Sequence, residues 1–591
     1  MKHSLSRKIL SVMLCVVLVA LCVVPAFAKD SKANHPILYV EGFNGAPLYK
    51  DGTEKLFMPD MDDLTGTITS LITTLAKFAA KKNLAKLQGD INGQAAAYDE
   101  FIDAVIDAAA GVFGTFACDE HGNSIDAGID VLDIDRFGNC NQIDQSNIKE
   151  AVIAETGNAL GKDMVYYFTY DWRMSLIDTA AKLADAIEQI KADTGYDKVS
   201  LVGMSMGGAL INTYTTIYGT GSVCNLTMSS SAFQGLQYIG EIFNGQMEID
   251  GDLLGELIDD FLSENVQLSS ILGYSNVYKT LLNDMNTAFK YDMEGTSALG
   301  AADGEGTEPK NKIKNNLLIP YFAYLPGMWT FVPDKYYESA IDYVFGPTAR
   351  IGESADLVAK LDMYHLVQAN TKNNLTNALK NGVTLSIVSH YNTHIAPVTP
   401  VSKNLTGDVT IETVGTSAGA TTAPIGECFE FDYEQALYPE KNYISPDFMI
   451  DASTCMFPDY TWFIKDMKHM EFDPKEEGNN CDLFIWLSNT TEQLTIDSDE
   501  LYPQFLMYDR ELKRLSCFYT PGDVNYDDDW TLVDVRHAMR LAEGLDEMNV
   551  NLEAAADMNR DKAVTDDDAN NILNMIVAFQ SLDYLPDEEI D

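Results

Sequence analysis

The stretch Val199-Ser-Leu-Val-Gly-Met-Ser205-Met-Gly-Gly-Ala-Leu210 constrains the chain more than any other. An apolar, β-like run meets a serine set between two glycines and passes at once into a helical pattern. A strand can turn into a helix that abruptly only where side chains are missing, and Gly203 and Gly207 supply that freedom. Such a turn lifts the serine side chain above the end of a sheet, the setting of a serine nucleophile.

The flanking sequence agrees. Residues 35–48 read as a strand running into a glycine loop, and residues 163–169 read as a second strand. Leu176, Ala180, Leu183, Ile187 and Ile190 then mark one face of a helix that Gly195 ends. Leu226–Ser231 and Leu385–Ser389 are further strands. Strands alternating with helices indicate an α/β fold, with a mostly parallel sheet joined by crossovers. Two stretches, about 60–115 and 236–380, lose the β rhythm and become helical. The second is expected as a cap over the carboxyl ends of the strands, where such proteins keep their sites. Within it Met328, Trp329, Phe331, Tyr336 and Tyr337 either line an apolar channel or simply pack helices together. Apolar segments over 481–517 complete a domain expected to span 29–518.

A chain of 591 residues that is 46% hydrophobic has ample material for a large core. Its 89 acidic residues outnumber 40 basic ones, which argues against nucleic acid as a partner. Residues 1–28 read as a secretory signal: basic Lys2, Arg7 and Lys8, an apolar run from Ile9, and Ala26-Phe-Ala28 before Lys29. No later stretch is apolar and long enough to cross a bilayer, so a secreted, extracellular protein without a transmembrane anchor is expected. Seven cysteines lie beyond that signal, an odd and sparse set that is no disulfide framework. Cys118 with Cys140 is the first pair to test.

A serine on such a turn needs a carboxylate and a histidine later in the chain, in that order. His365 falls in an amphipathic helix, and His390 and His394 come too soon after the elbow to leave an acid-bearing strand between. His469 is therefore the expected base. Asp447, at a turn after an extended segment, is the expected acid, with Asp451 and then Asp459 as alternatives. Backbone N–H groups of Phe43, after Gly42, and of Met206 are the expected oxyanion donors. The expected chemistry is acyl transfer through an acyl-serine, with no cofactor in catalysis.

These features resemble the lecithin:cholesterol acyltransferase-like branch of the α/β-hydrolases. The resemblance rests on His35-Pro36 leading to Gly42-Phe-Asn-Gly45, on Tyr170-Asp-Trp-Arg173, on the Ser205 elbow followed by Ala232-Phe-Gln-Gly235, and on Asp447 with His469. It spans residues 35–470 and implies an α/β-hydrolase fold with helical cap insertions, acting on lipid-type acyl esters. The family's acid usually lies between two glycines, whereas Asp447 precedes Phe448. Tyr170 to Arg173 has an equally good structural reading, with Asp171 and Arg173 paired internally.

The tail contains a repeat. Asp523, Asn525, Asp527, Thr531 and Asp534 recur as Asp557, Asn559, Asp561, Thr565 and Asp568. Oxygen ligands at positions 1, 3, 5, 9 and 12 of a twelve-residue loop suit Ca2+. The pair resembles a type I dockerin over residues 521–585, a small all-α calcium-binding domain. That resemblance implies a cohesin domain of a scaffold protein as partner, with Leu532-Val533 and Asp566-Asp567 at the contact positions. Position 6, normally glycine, is Asp528 or Lys562. The expected function is a secreted serine hydrolase or acyltransferase docked to a scaffold. A carbohydrate esterase of a cellulosome-like complex and a catalytically silent binding component are the alternatives.

Overall fold

The computed structural model describes residues 33–45, 47–56, 74, 77–132, 136–142, 151–254, 277–301, 308–430, 432–469, 471, 481–526 and 529–582. The expected signal segment, Asp527, Asp528 and much of 60–76 lie outside them.

Nine strands form the central sheet: β1 (Ile37–Val40), β2 (Phe137–Asn139), β3 (Val165–Phe168), β4 (Val199–Met204), β5 (Val223–Ser229), β6 (Thr384–Tyr391), β7 (Thr461–Lys465), β8 (Phe505–Asp509) and β9 (Arg514–Cys517). Their order is β9-β8-β7-β6-β5-β4-β1-β3-β2. The seven inner strands run parallel, and β2 and β9 close the two edges antiparallel. The protein is thus a mixed α/β fold built on a large, mostly parallel sheet.

Every residue of β1, β3, β4 and β6 is buried. Parallel strands covered on both faces read as unbroken apolar runs, which is why β1 and β3 carry no polar alternation. The pleat still sorts the side chains. Leu38 and Val40 join one core, while Ile37 and Tyr39 join the other. The first core is covered by α1 (Leu176–Thr194) and α2 (Met206–Tyr218), through Leu183, Ile187, Leu210 and Tyr214. Ser175 starts α1 by accepting a hydrogen bond from the Ile177 N–H, and Gly195 ends it at φ 74°. Leu483, Phe484 and Leu487 cover the opposite face.

Between β5 and β6 the chain is helical: α3 (Gln237–Phe243), α4 (Val277–Glu294), α5 (Asp334–Phe345) and α6 (Ala355–Ala369). A π-helical segment, Lys314–Ala323, contains Pro320. Proline has no N–H and its ring crowds the preceding turn, so the widened coil avoids a broken α-helix. Trp329 is a packing residue here. Its ring lies 5.0 Å from Phe243 and 5.7 Å from Phe345, and its Nε1 donates to the Ala323 carbonyl at 2.8 Å. Tyr337 is also interior, stacked on His365 at 3.9 Å and donating to Asp362.

The Tyr170–Arg173 run is structural. Arg173, fully buried, donates to both Asp171 oxygens at 2.9 and 2.6 Å. Its remaining donors reach the Ser124 hydroxyl and the carbonyls of Phe116 and Ile129. One guanidinium thereby ties the 116–129 segment to the end of β3. Cys118 and Cys140 do not form a disulfide. They are free thiols in different cores, on opposite faces of the sheet, and all seven described cysteines are free.

In the tail, α7 (Leu532–Ala542), α8 (Val550–Ala556) and α9 (Asp566–Leu582) enclose a small core of Val524, Ala538, Leu541, Ala556, Ala569, Ile572 and Ile576. This unit rests on β9, where Arg514 lies 3.5 Å from Glu553 and 3.6 Å from Asp557. The Cys517 N–H donates to Asn551 beside them.

Arg173→Met should lower stability by about 3–5 kcal/mol, because Asp171 keeps a buried charge without its partner. The double substitution Asp171→Asn with Arg173→Met should recover part of that loss. Thermal melts of the two variants check the difference.

Candidate active site

Ser205 follows β4 and precedes α2 with φ 53° and ψ −123°. A non-glycine residue held there stores strain, which survives only where the surroundings dictate it. They do. A Cβ on Gly203 would stand 2.6 Å from the Gly208 Cα, and one on Gly207 would stand 2.0 Å from the Val40 carbonyl oxygen. Gly208 has the same problem, with the Ser231 hydroxyl 2.1 Å from its added Cβ. Gly203 and Gly207 are required by a close approach of backbone, and Gly208 by the Ser231 side chain. Gly42 is a fourth such position, its added Cβ being 2.6 Å from the serine Cβ and 3.1 Å from Oγ.

That contact brings the turn after β1 against Ser205. Met206 is the first residue of α2, so its N–H has no acceptor inside the helix. Neither this N–H nor that of Phe43 is taken by another acceptor among the described residues. Both are free to serve an oxyanion, and the helix N-terminus adds a favourable dipole. The Phe43 ring packs 4.3 Å from Trp172 and 6.0 Å from Phe331. The Ser205 hydroxyl itself makes no hydrogen bond among the described residues.

His469 follows β7, and its Nδ1 lies 2.7 Å from Asp408 Oδ2. An ionised carboxylate only accepts, so Nδ1 carries the proton and Nε2 is left as the basic nitrogen. The His469 N–H also donates to the Asp408 carbonyl at 2.8 Å. Asp408 is wholly buried, and its Oδ1 accepts from the Thr410 and Ile411 N–H groups at 3.0 and 2.6 Å. Burial alone would raise this carboxyl. His469, the hydrogen bond it donates, His390 and the Ile411 N–H outweigh burial and hold it below the ordinary range.

The expected acid, Asp447, is elsewhere. Its carboxylate meets Lys465 Nζ at 2.9 Å, the Tyr391 hydroxyl at 3.1 Å and the Ser445 hydroxyl at 2.6 Å. Those partners lock a turn and leave His469 out. Asp451 accepts from the Ser453 N–H, the Tyr433 hydroxyl and the Ala436 N–H, all at 2.9 Å. Asp459 is held by Lys441 and Tyr443. Asp408 was missed because it lies in a Thr/Gly-rich loop read as a connection. In fact Thr406–Gly407 pairs antiparallel with Thr393–His394, folding the loop back on the end of β6. The signal was local: Gly407-Asp408-Val409, with Val409 at φ 81° where glycine would sit without strain.

The carboxyl ends of β4, β5, β6 and β7 lie in a row along the sheet. The Ser205 N–H donates to Ser229, the Ser230 N–H donates to Val388, and Ser230 Oγ is 3.3 Å from His390 Nδ1. His390 is fully buried, and burial pushes its imidazole down to about 4, so it is neutral at ordinary pH. Glu412 closes the layer above. Burial first, then Asp408, pushes its carboxyl up to about 7. It accepts from the Gln237 N–H at 2.5 Å, linking the loop that carries Asp408 to the start of α3.

In the tail both repeats bind their own backbone identically. Asp534 accepts from the Val524, Asn525 and Thr531 N–H groups and the Thr531 hydroxyl, and Asp568 accepts from Met558, Asn559 and Thr565 in the same way. Asp557 accepts from the Asp561 and Lys562 N–H groups. Tyr526 and Arg560, both at position 4, adopt φ 56° and 60°, and Lys562 at position 6 adopts 65°. The all-oxygen side-chain set suits a hard cation. Among the described residues no three His, Cys, Asp or Glu side chains converge as a metal cage, and Asp527 lies outside them.

The raised Glu412 carboxyl carries a pH dependence. Its contribution to stability is complete below its unfolded value of 4.5 and is lost as pH rises through about 7. Glu412→Gln should therefore gain on wild type between pH 5 and pH 8, by an amount on the order of 1–3 kcal/mol, and not at pH 4. Melting curves across that range check it.

No family model matches this chain, and no curated protein does. Among solved structures, a chain described as "The crystal structure of Tle4-Tli4 complex" is similar at 12% identity, over 66% of this chain and 90% of that chain. Its TM-score is 0.24, too low for the likeness to bear on fold or function.

Proposed function

We propose that the chain is a serine ester hydrolase or O-acyltransferase of α/β-hydrolase type, with Ser205 as nucleophile, His469 as base and Asp408 as the carboxylate that orients it. The Asp408–His469 pair, on the same sheet edge as the strained Ser205 turn, carries this reading. Serine after β4, acid after β6 and histidine after β7 is also the chain order that such an elbow requires.

In the reaction Ser205 Oγ attacks an ester carbonyl while His469 Nε2 takes its proton. The Phe43 and Met206 N–H groups receive the negative charge that develops on the carbonyl oxygen. Asp408 holds the imidazole in one tautomer and stabilises the imidazolium. His469 then returns the proton to the leaving alcohol. Water or a second alcohol, deprotonated by the same nitrogen, releases the acyl group.

Lipid-type esters are the favoured substrates, supported by the apolar surroundings of Phe43, Trp172 and Phe331. Sugar esters are the alternative that a substrate panel separates. A catalytically silent binding component is favoured by one observation, the Ser205 hydroxyl without a hydrogen bond. Hydrogen bonds of this kind often tighten only when substrate binds.

The tail is proposed as a calcium-binding dockerin for a scaffold cohesin, which suits a secreted protein. Asp523, Asn525, Asp527, Thr531 and Asp534 would hold one ion, and Asp557, Asn559, Asp561, Thr565 and Asp568 the other. Leu532 and Val533 are exposed, as a docking edge requires.

A fluorophosphonate probe should label wild type at Ser205 and fail on Ser205→Ala and His469→Ala. Asp408→Asn should lower turnover of a labelled ester by roughly ten-thousandfold with the fold intact. Asp447→Asn should stay in the wild-type range; the reverse ranking would restore Asp447 as the acid. Failure to label folded wild type would remove the enzyme reading.

Calcium should raise the melting temperature of the tail in the full chain, and Asp557→Ala should reduce the rise. One site at a hundredfold excess over Kd adds about 2.7 kcal/mol. A melt unchanged between calcium and EDTA would rule out the metal.

A further inference from the structure

The helices between β5 and β6 line a partly open cavity of about 250 Å3 whose lining includes none of the residues proposed for the Ser205 chemistry. It lies between two separate apolar clusters, one containing Phe289 and Ile313, the other Phe243 and Leu318. Its walls come from α3, α4, α5 and the π-helical segment, and they are almost wholly apolar. No described residue fills this space.

Two charged residues, Asp292 and Lys314, are among those lining the cavity, and they differ. The Asp292 carboxylate is spent on the N–H groups of Lys312 and Ile313, each at 2.9 Å. Lys314 has no carboxylate partner among the described residues. Its ammonium lies 4.6 Å from the Tyr343 ring centroid, and burial pushes its pKa down. A half-buried cation whose only partner among the described residues is a ring face favours an anion beside it.

We propose that this cavity binds one aliphatic chain with a carboxylate head: the chain fills the apolar space and the carboxylate pairs with Lys314. The volume falls just below the 300–1,000 Å3 or so of pockets for drug-sized ligands, which suits a single chain and excludes a two-chain lipid or a sterol. The head group stands at Lys314 and not at Ser205, so this is a site for a free fatty acid rather than for an ester in reaction. Ester hydrolysis is the class of reaction that supplies such a ligand, but the site stands without it.

Binding is measured on the full chain carrying Ser205→Ala, by displacement of a dansyl-labelled undecanoate. Dodecanoate should saturate one site per chain and bind about tenfold tighter than dodecanol, the margin of one charged hydrogen bond. Lys314→Gln should bring dodecanoate to the level of dodecanol and leave dodecanol unchanged. Leu318→Trp or the milder Leu317→Phe should weaken both ligands, with the fold checked by circular dichroism. Three results would overturn the assignment: no saturable binding, equal affinity for acid and alcohol in the parent chain, or full binding in folded variants of both leucines. None of them bears on fluorophosphonate labelling of Ser205, so the two proposals fail separately.

Discussion

The structure turns on one crowded point, where β4 ends and α2 begins. Ser205 holds φ 53° where Gly203, Gly207, Gly208 and Gly42 let neighbouring backbone and side-chain atoms close around it. The same crowding fixes neighbouring geometry. Gly207 sits against the Val40 carbonyl, so β1 and α2 cannot shift relative to one another without a clash. Both proposed oxyanion donors are placed by that contact rather than by their own side chains.

From this point the sheet distributes the remaining groups. Parallel strands end on the same edge, so residues remote in sequence arrive together after β4, β6 and β7. The residues along that edge are protected by burial. His390 is kept neutral, Asp408 is kept charged by its histidine, and Glu412 is held near the balance point between its two states. Three buried groups within one layer thus have three different protonation habits, set by what each one faces.

The parts of the chain most easily taken for chemistry have other duties. Tyr170–Arg173 anchors a loop, with the Arg173 guanidinium spending its donors on Asp171 and the 116–129 segment. Trp329 and Tyr337 fill the interior of the helical insertion. Among the described residues, that insertion leaves open the space beside Lys314, between two apolar clusters.

The sequence alone determined whatever depends on local pattern. The strand before Ser205, the glycines around it, the α1 face from Leu176 to Ile190 with Gly195 at its end, and the parallel sheet follow from apolar periodicity and from residues with special backbone freedom. His469 follows by elimination among the later histidines, and the structure places it after β7 and beside Asp408. The partner of that histidine was not legible. Asp447, Asp451, Asp459 and Asp408 are alike as residues in turns, and only the tertiary structure assigns Lys465, the Tyr433 hydroxyl, Lys441 and His469 to them respectively. The loop bearing Asp408 returns to the sheet through two residues of pairing with Thr393–His394, too short a strand to leave a periodic signal. Periodicity reports which face of an element is buried; it does not report which loop end comes to rest beside which, because that is decided by packing between elements distant in the chain.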